Sequence, residues 1–141
     1  MSRILIVDDD EVLVKTLAAI FRRSGHTVLA ALDGEAGLAC ARAGNPDLII
    51  LDVMMPEMDG LEVCRLLRSE PQTRGIPVLM FTALDEPDMR ARAGLDPRRQ
   101  GVQAYLEDEI LADDYVTKPV IVDDLLRRVN TLLWIGDVIE P

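Results

Sequence analysis

The chain has 141 residues, 49% of them apolar, and a formal net charge of -10, which suit one globular domain with a full hydrophobic core. The acidic balance argues against a free-standing binder of nucleic-acid backbones, which are held by Lys and Arg. Cys40 and Cys64 lack zinc-site spacing and no uncharged stretch is long enough for a membrane span or a signal peptide, so we expect reduced thiols and a cytoplasmic location.

Apolar runs and helical patterns alternate from the N-terminus onward. The run Ile4 to Val7 has no polar alternation, which is typical of a strand covered on both faces. The helix that follows is expected to have Asp10 as its N-cap and to end near Gly25, which suits a left-handed C-terminal position. Its predicted apolar stripe consists of Val12, Leu13, Leu17 and Ile20. The remaining predicted elements are a strand at 27–31, a helix at 35–43 closing at Gly44, a strand at 48–51, a helix that starts after Gly60 and stops before Pro71, a strand at 76–81, a strand around Tyr115 and Val116, and a helix from Val122 to about Trp134.

This alternation predicts an α/β fold. Five such units with right-handed crossovers give a flavodoxin-like, doubly wound, five-stranded parallel sheet of order 2-1-3-4-5. Thr82 and Lys118 are 36 positions apart, about a dozen more than one helix with two loops and a strand requires. We therefore predict an enlarged segment between strands four and five, with an insertion within about residues 86–111. The predicted domain covers residues 1–134, and residues 135–141 form a C-terminal tail or the start of a linker.

Polar residues come directly after four of the predicted strands. Asp8 and Asp9 follow the first strand, Asp52 the third, Thr82 the fourth and Lys118 the fifth. The carboxyl ends of parallel strands meet at one edge of the sheet, where open α/β sheets place their ligands. The sequence therefore predicts one pocket that holds three acids, a hydroxyl and an amine.

These residue types suit phosphoryl chemistry with a metal ion. Neighbouring carboxylates repel each other, and a bound divalent cation relieves that repulsion. Mg²⁺ favours oxygen ligands, with Asp9 and Asp52 as the expected inner pair. A carboxylate such as Asp52 also accepts a phosphoryl group as an acyl phosphate, provided that the charge on the phosphoryl oxygens is neutralised. Lys118 and Thr82 fit that neutralising role.

Four segments carry a family resemblance. ILIVDDD, LIILDVMMPEMDG, VLMFTAL and DYVTKP closely resemble the signature of response-regulator receiver domains of two-component signal transduction, over about Arg3 to Leu133. The resemblance implies a Mg²⁺-dependent signalling switch that accepts a phosphoryl group on Asp52 from a sensor histidine kinase or a phosphotransfer protein. Such a domain is not an enzyme, except that it catalyses its own phosphorylation and dephosphorylation.

The resemblance also assigns roles to individual residues. Gly60 is expected to supply a turn conformation in the loop after Asp52. The other implied roles are Asp52 as phosphoacceptor, Asp8, Asp9, Asp52 and the main-chain carbonyl of Met54 as metal ligands, Thr82, Lys118 and Tyr115 as phosphate-binding and switch residues, and a cis peptide bond between Lys118 and Pro119.

Partners and competing functions remain open at this point. The resemblance implies a homodimer or an output partner, without direct contact to nucleic acid or membrane. The face expected to bind it is made by the fifth strand and by the helices on either side of that strand in the chain. These are the fourth helix, which the enlarged segment contains, and the last helix, which is the fifth. Arg90, Arg92, Arg98 and Arg99 lie in the enlarged segment on that face. One alternative is a receiver-like interaction domain that does not switch by phosphorylation. Another is a Mg²⁺-dependent phosphatase, although that class normally carries an acid where Met54 stands.

Overall fold

The computed structural model describes residues 2–82, 112–119 and 121–139 of the chain. In this part the strands are β1 (Arg3–Val7), β2 (Thr27–Ala31), β3 (Leu48–Asp52), β4 (Val78–Thr82) and β5 (Asp114–Thr117), and the helices are α1 (Glu11–Arg23), α2 (Gly34–Gly44), α3 (Gly60–Ser69) and α4 (Val122–Ile139). The strands pair in parallel in the order β2-β1-β3-β4-β5. The predicted flavodoxin-like α/β architecture is confirmed.

Helices cover both faces of the sheet and create two cores. Leu5 and Val7 of β1 face the core beneath α2 and α3, while Ile4 and Ile6 face the core beneath α1 and α4. All four side chains are completely buried. Because alternate residues of one strand enter two different cores, the strand is apolar throughout rather than alternating. None of the described helices is long and apolar enough to cross a membrane.

The buried stripe of α1 differs from the predicted one. Val12 is 76% exposed and does not belong to it. The residues that α1 buries are Val14, Leu17, Ala18 and Phe21. They have the i, i+3, i+4, i+7 spacing of one helix face, which turns Val12 toward solvent. The predicted N-cap is confirmed, since the Asp10 side chain accepts a hydrogen bond of 3.1 Å from the main chain of Leu13.

Two predicted boundaries were wrong by two residues or more. β4 begins at Val78 rather than at Ile76, because the Ile76 amide donates to the Thr73 carbonyl and closes a turn. The last helix continues to Ile139 rather than ending near Trp134. Gly136 does not stop it, since glycine inside a helix costs only about 1 kcal/mol relative to alanine.

Left-handed residues terminate the first two helices. Gly25, just beyond α1, has φ 92°, as predicted. After α2 the left-handed residue is Asn45, with φ 46°, whereas Gly44 is the last helical residue. Gly44 instead allows close packing, because a Cβ there would lie 2.6 Å from a methyl group of Leu29.

The enlarged segment lies outside the described residues. The insertion predicted within about residues 86–111 and its four arginines fall in the stretch 83–111. The division between a domain at 1–134 and a tail at 135–141 stays a prediction.

Two arginines fix the start of β5. The carboxylate of Asp113 accepts hydrogen bonds from Arg68 of α3, at 2.9 Å, and from the main chain of Val78, at 2.8 Å. Asp114 pairs with Arg128 of α4 at 2.7 Å. The residue just before β5 and the first residue of β5 are therefore held by helices from opposite faces of the sheet. These contacts hold the start of β5 in place, and Lys118 follows directly after the last residue of that strand.

Candidate functional site

Three acids meet at the carboxyl edge of the sheet. Asp8 follows β1 and is completely buried, Asp52 ends β3 and is 3% exposed, and Asp9 is exposed. One carboxylate oxygen from each acid lies within 4.8 Å of the others. Three carboxylate oxygens with this spacing fit the coordination of a hard divalent cation. Water molecules would occupy the remaining coordination positions of such a cation. The acids therefore form a candidate metal site with an open, solvent-facing side at Asp9.

Main-chain amides orient the two buried acids. The Asp10 amide donates to Asp8 Oδ1 at 2.8 Å, and the Met54 amide donates to Asp52 Oδ1 at 3.3 Å. The amide of Asp8 itself donates to the Ala31 carbonyl at 3.1 Å, which continues the β1–β2 ladder up to the site. Each buried carboxylate thus has one oxygen engaged by the backbone and the other directed to the pocket.

Lys118 supplies the cation of the pocket. Its Nζ lies 2.8 Å from Asp8 Oδ2 and 3.6 Å from Asp52 Oδ2. The Lys118–Pro119 peptide bond is cis. The ammonium also lies over the ring of Phe81, 4.8 Å from the ring centroid. Sequence reasoning missed Phe81, whose place immediately before Thr82 on β4 does not by itself distinguish it from an ordinary strand residue.

The pKa of Asp52 is raised to about 6. Burial is the largest cause, and the negative charge of Asp8 adds to it, while Lys118 and the Met54 amide lower the pKa in part. Like-charge repulsion and loss of hydration both favour the protonated acid. At neutral pH Asp52 is therefore mainly ionised. Burial and the charge of Asp8 raise the free energy of the ionised form, and a cation in the pocket would lower it.

Lys118 remains a cation in this setting. Burial lowers its pKa, but the hydrogen bond to Asp8 and the negative charges of Asp52 and Asp8 outweigh burial, so its pKa is raised overall. The site therefore keeps a positive charge beside the carboxylate of Asp52.

Gly60 is required for a different reason from the one predicted. Its φ is not left-handed; the left-handed residue of the loop is Glu57, with φ 69°. A Cβ at Gly60 would lie 2.0 Å from the carbonyl oxygen of Asp52 and 2.9 Å from Cα of Val53. The Gly60 amide donates to the Val53 carbonyl at 2.9 Å. The first residue of α3 thus rests directly on the backbone that carries Asp52.

Two predicted switch residues are placed by their backbone alone. Thr82 is the last residue of β4, and Tyr115 lies in β5 opposite Met80. Their side chains lie outside the part of the chain that the structure describes. Their switching roles, like the metal role of the Met54 carbonyl, remain predictions.

The raised pKa of Asp52 predicts a pH-dependent stability for the metal-free protein. An unfolded aspartate has a pKa of about 3.9, so the folded protein binds this proton more tightly. The resulting stabilisation is complete below about pH 4 and is lost as the pH rises through about 6. Asp52→Asn removes the ionisation, and we expect it to raise the free energy of unfolding by about 2 kcal/mol near neutral pH.

Urea unfolding in the presence of a chelator measures this effect. The two proteins should have equal stability near pH 4 and diverge between about pH 4 and 6. A difference that is constant with pH would contradict the assigned pKa.

Comparison with known proteins shows which family the chain resembles. The family model for the response regulator receiver domain matches residues 4–130. The chain is 40% identical over 140 residues to the alkaline phosphatase synthesis transcriptional regulatory protein PhoP of Bacillus subtilis, covering 99% of this chain and 52% of PhoP. It is 36% identical over 133 residues to the protein PilH of Pseudomonas aeruginosa, covering 94% of this chain and 98% of PilH. The chain thus spans about half the length of PhoP and nearly all of PilH.

A solved structure shows the same fold. The signal receiver domain of a signal transduction histidine kinase from Syntrophus aciditrophicus superimposes with a TM-score of 0.78 at 35% sequence identity, and the match covers 100% of this chain and 95% of that one. The similarity includes the whole sheet whose carboxyl edge holds the three acids and Lys118.

Proposed function

The chain belongs to the response regulator receiver domains, the phosphorylation-activated switches of two-component signalling, and from that premise we propose that Asp52 is its phosphoacceptor. The observation that supports this role is the position of its carboxylate. Asp52 is buried at the sheet edge, has a raised pKa and lies 3.6 Å from the Lys118 ammonium. Asp8, which is closer to Lys118, is completely buried and less accessible to a donor.

The transfer step uses the ionised carboxylate. An oxygen of Asp52 attacks the phosphorus in line with the leaving group, forming a new P–O bond as the P–N bond to a donor histidine, or the P–O bond of acetyl phosphate, breaks. The electron pair of that bond leaves with the donor. Lys118 neutralises charge on the phosphoryl oxygens, and the Met54 amide holds the other carboxylate oxygen. The domain catalyses this step on itself only, as it does the later hydrolysis, in which water attacks the phosphorus, inorganic phosphate leaves and the Asp52 carboxylate is regenerated.

We propose Mg²⁺ as the cofactor. Asp8, Asp9 and Asp52, together with the Met54 carbonyl, would hold it. When bound, it supplies positive charge to the transferring phosphoryl oxygens. Asp8 and Asp9 keep the negative charge of the pocket high enough to attract such an ion in the absence of a phosphoryl donor.

The proposed output is a population shift. Thr82, at the end of β4, would move toward the phosphoryl group, and Tyr115 on β5 would take up the space that it leaves. Such a movement biases a two-state surface that includes β5 and the last helix. The proposed partners are a sensor histidine kinase or phosphotransfer protein in the cytoplasm and, on that surface, a second copy or an output partner.

Phosphoryl uptake tests the proposed function. Incubation with Mg²⁺ and acetyl phosphate should add one phosphoryl group, measured by intact mass, and hydroxylamine should remove it, as expected for an acyl phosphate. Asp52→Asn should abolish the added mass completely. Beryllofluoride should bind the wild type and not this variant.

Asp47→Asn is the matched control. Asp47 is an exposed acid that accepts a hydrogen bond from the Arg3 amide at 2.7 Å, just before β3 and at the opposite edge of the sheet. The Asp47→Asn variant should take up a phosphoryl group as the wild type does. Failure of the wild type to gain mass with either acetyl phosphate or a phosphorylated kinase would favour the interaction domain that does not switch.

A further inference from the structure

The ammonium of Lys118 has three described neighbours. Asp8 lies at 2.8 Å, Asp52 at 3.6 Å, and the face of the Phe81 ring has its centroid at 4.8 Å. A lysine side chain is a flexible four-carbon stem with a point charge at its end, so each further contact restricts its position. The ring adds an uncharged contact to those of the two acids.

Phe81 is held firmly enough to act as such a surface. It is completely buried in the core beneath α1 and α4. On β4 it lies opposite Asp52 of β3 on one side and Val116 of β5 on the other. The ring is therefore a fixed neighbour of the reacting carboxylate. Its negative π face attracts a cation within about 6 Å of the centroid.

The ring differs from the two acids in one respect. If Asp52 accepts a phosphoryl group and the acids bind a metal ion, as in the proposed function on which this inference rests, the charges around Lys118 change at every step. The quadrupole of the ring does not change. We propose that Phe81 is a positioning residue, whose ring holds the ammonium of Lys118 beside Asp52 throughout the phosphorylation cycle.

The contact has a direct spectroscopic test in the metal-free protein. The chain has only two lysines, Lys15 and Lys118, so isotope-labelled lysine gives two sets of side-chain NMR signals, which Lys15→Arg assigns. The ε-methylene protons of Lys118 should be shifted upfield by the ring current relative to those of Lys15, whose side chain is 75% exposed. Phe81→Leu should abolish that shift. Coincident signals in the wild type, or a shift that survives in the variant, would overturn the proposal.

The functional test changes the electrons of the ring while nearly preserving its shape. Mono-, di- and trifluorinated phenylalanine, introduced site-specifically at position 81, progressively weaken the π face. Across this series, uptake from acetyl phosphate should slow by about three- to tenfold in proportion to the loss of cation binding by the ring. The chain's other phenylalanine, Phe21, is also completely buried and provides a matched control. The same series at Phe21 should leave the rate unchanged.

The outcomes separate this inference from the proposed function. The positioning role of Phe81 would be overturned if the uptake rate did not change with the number of fluorine atoms at position 81. It would also be overturned if the rate fell equally for the series at positions 81 and 21. If the unsubstituted protein takes up no phosphoryl group from any donor, the proposed function fails, and the NMR comparison still decides whether the ring holds Lys118.

Discussion

Replacing Lys118 with methionine is expected to slow phosphoryl uptake by about 100-fold or more and to lower the free energy of unfolding of the metal-free protein by about 3 kcal/mol near neutral pH. Methionine keeps the apolar stem and removes the charge. The completely buried carboxylate of Asp8 then loses its partner at 2.8 Å. The pKa of Asp52, which Lys118 lowers in part, should rise above about 6. Urea unfolding and uptake from acetyl phosphate measure the two effects.

Lys15→Met is the matched control for this prediction. Lys15 pairs with Glu11 at 3.3 Å on the surface of α1, and both side chains are well exposed. An exposed pair of this kind contributes at most about 0.5 kcal/mol. Because the instability of the Lys118 variant is electrostatic, saturating Mg²⁺ should restore much of its stability without restoring uptake. Equal stability of the two metal-free variants would show that Lys118 does not compensate the charge of Asp8.

Gly60→Ala is expected to destabilise the protein by about 2 to 3 kcal/mol and to slow phosphoryl uptake tenfold or more. The new methyl group would lie 2.0 Å from the carbonyl oxygen of Asp52, and the nearby atoms are all backbone. No side chain can turn away, so α3 or the end of β3 must shift. A shift of β3 moves the carboxylate that receives the phosphoryl group. Thermal unfolding and the single-turnover rate with acetyl phosphate measure the change.

Gly44→Ala provides the comparison for Gly60. Gly44 is also helical, but its Cβ would meet only the terminal methyl group of Leu29, a half-buried side chain that can adjust its rotamer. Alanine also favours the helix by up to about 1 kcal/mol. We expect stability near or slightly above that of the wild type and unchanged uptake. If both variants behave alike, the close approach of α3 to Asp52 is not what requires glycine at position 60.

The fold was predictable from the sequence because its signals are local. Uninterrupted apolar runs identified buried strands, and the acids and the lysine at their ends converge as the parallel order requires. Caps such as Asp10 and stops such as Gly25 are also local, since each depends on the conformation of a few residues.

The features that sequence reasoning missed depend on neighbours distant in the chain. The role of Gly60 comes from its distance to the backbone of Asp52, which no helical pattern contains. Phe81 looked like an ordinary strand residue until β5 placed the Lys118 ammonium over its ring. Val12 was assigned to the buried stripe because apolar character alone does not fix the rotation of a helix against a sheet.

The two arginine pairs ahead of Lys118 have a consequence for how substitutions far from the acids are interpreted. Arg68 belongs to α3 and Arg128 to α4, and their carboxylate partners Asp113 and Asp114 lie just before Lys118 in the chain. A slower phosphoryl uptake after substitution of either arginine would therefore report a displaced β5, not the loss of a group that takes part in the transfer.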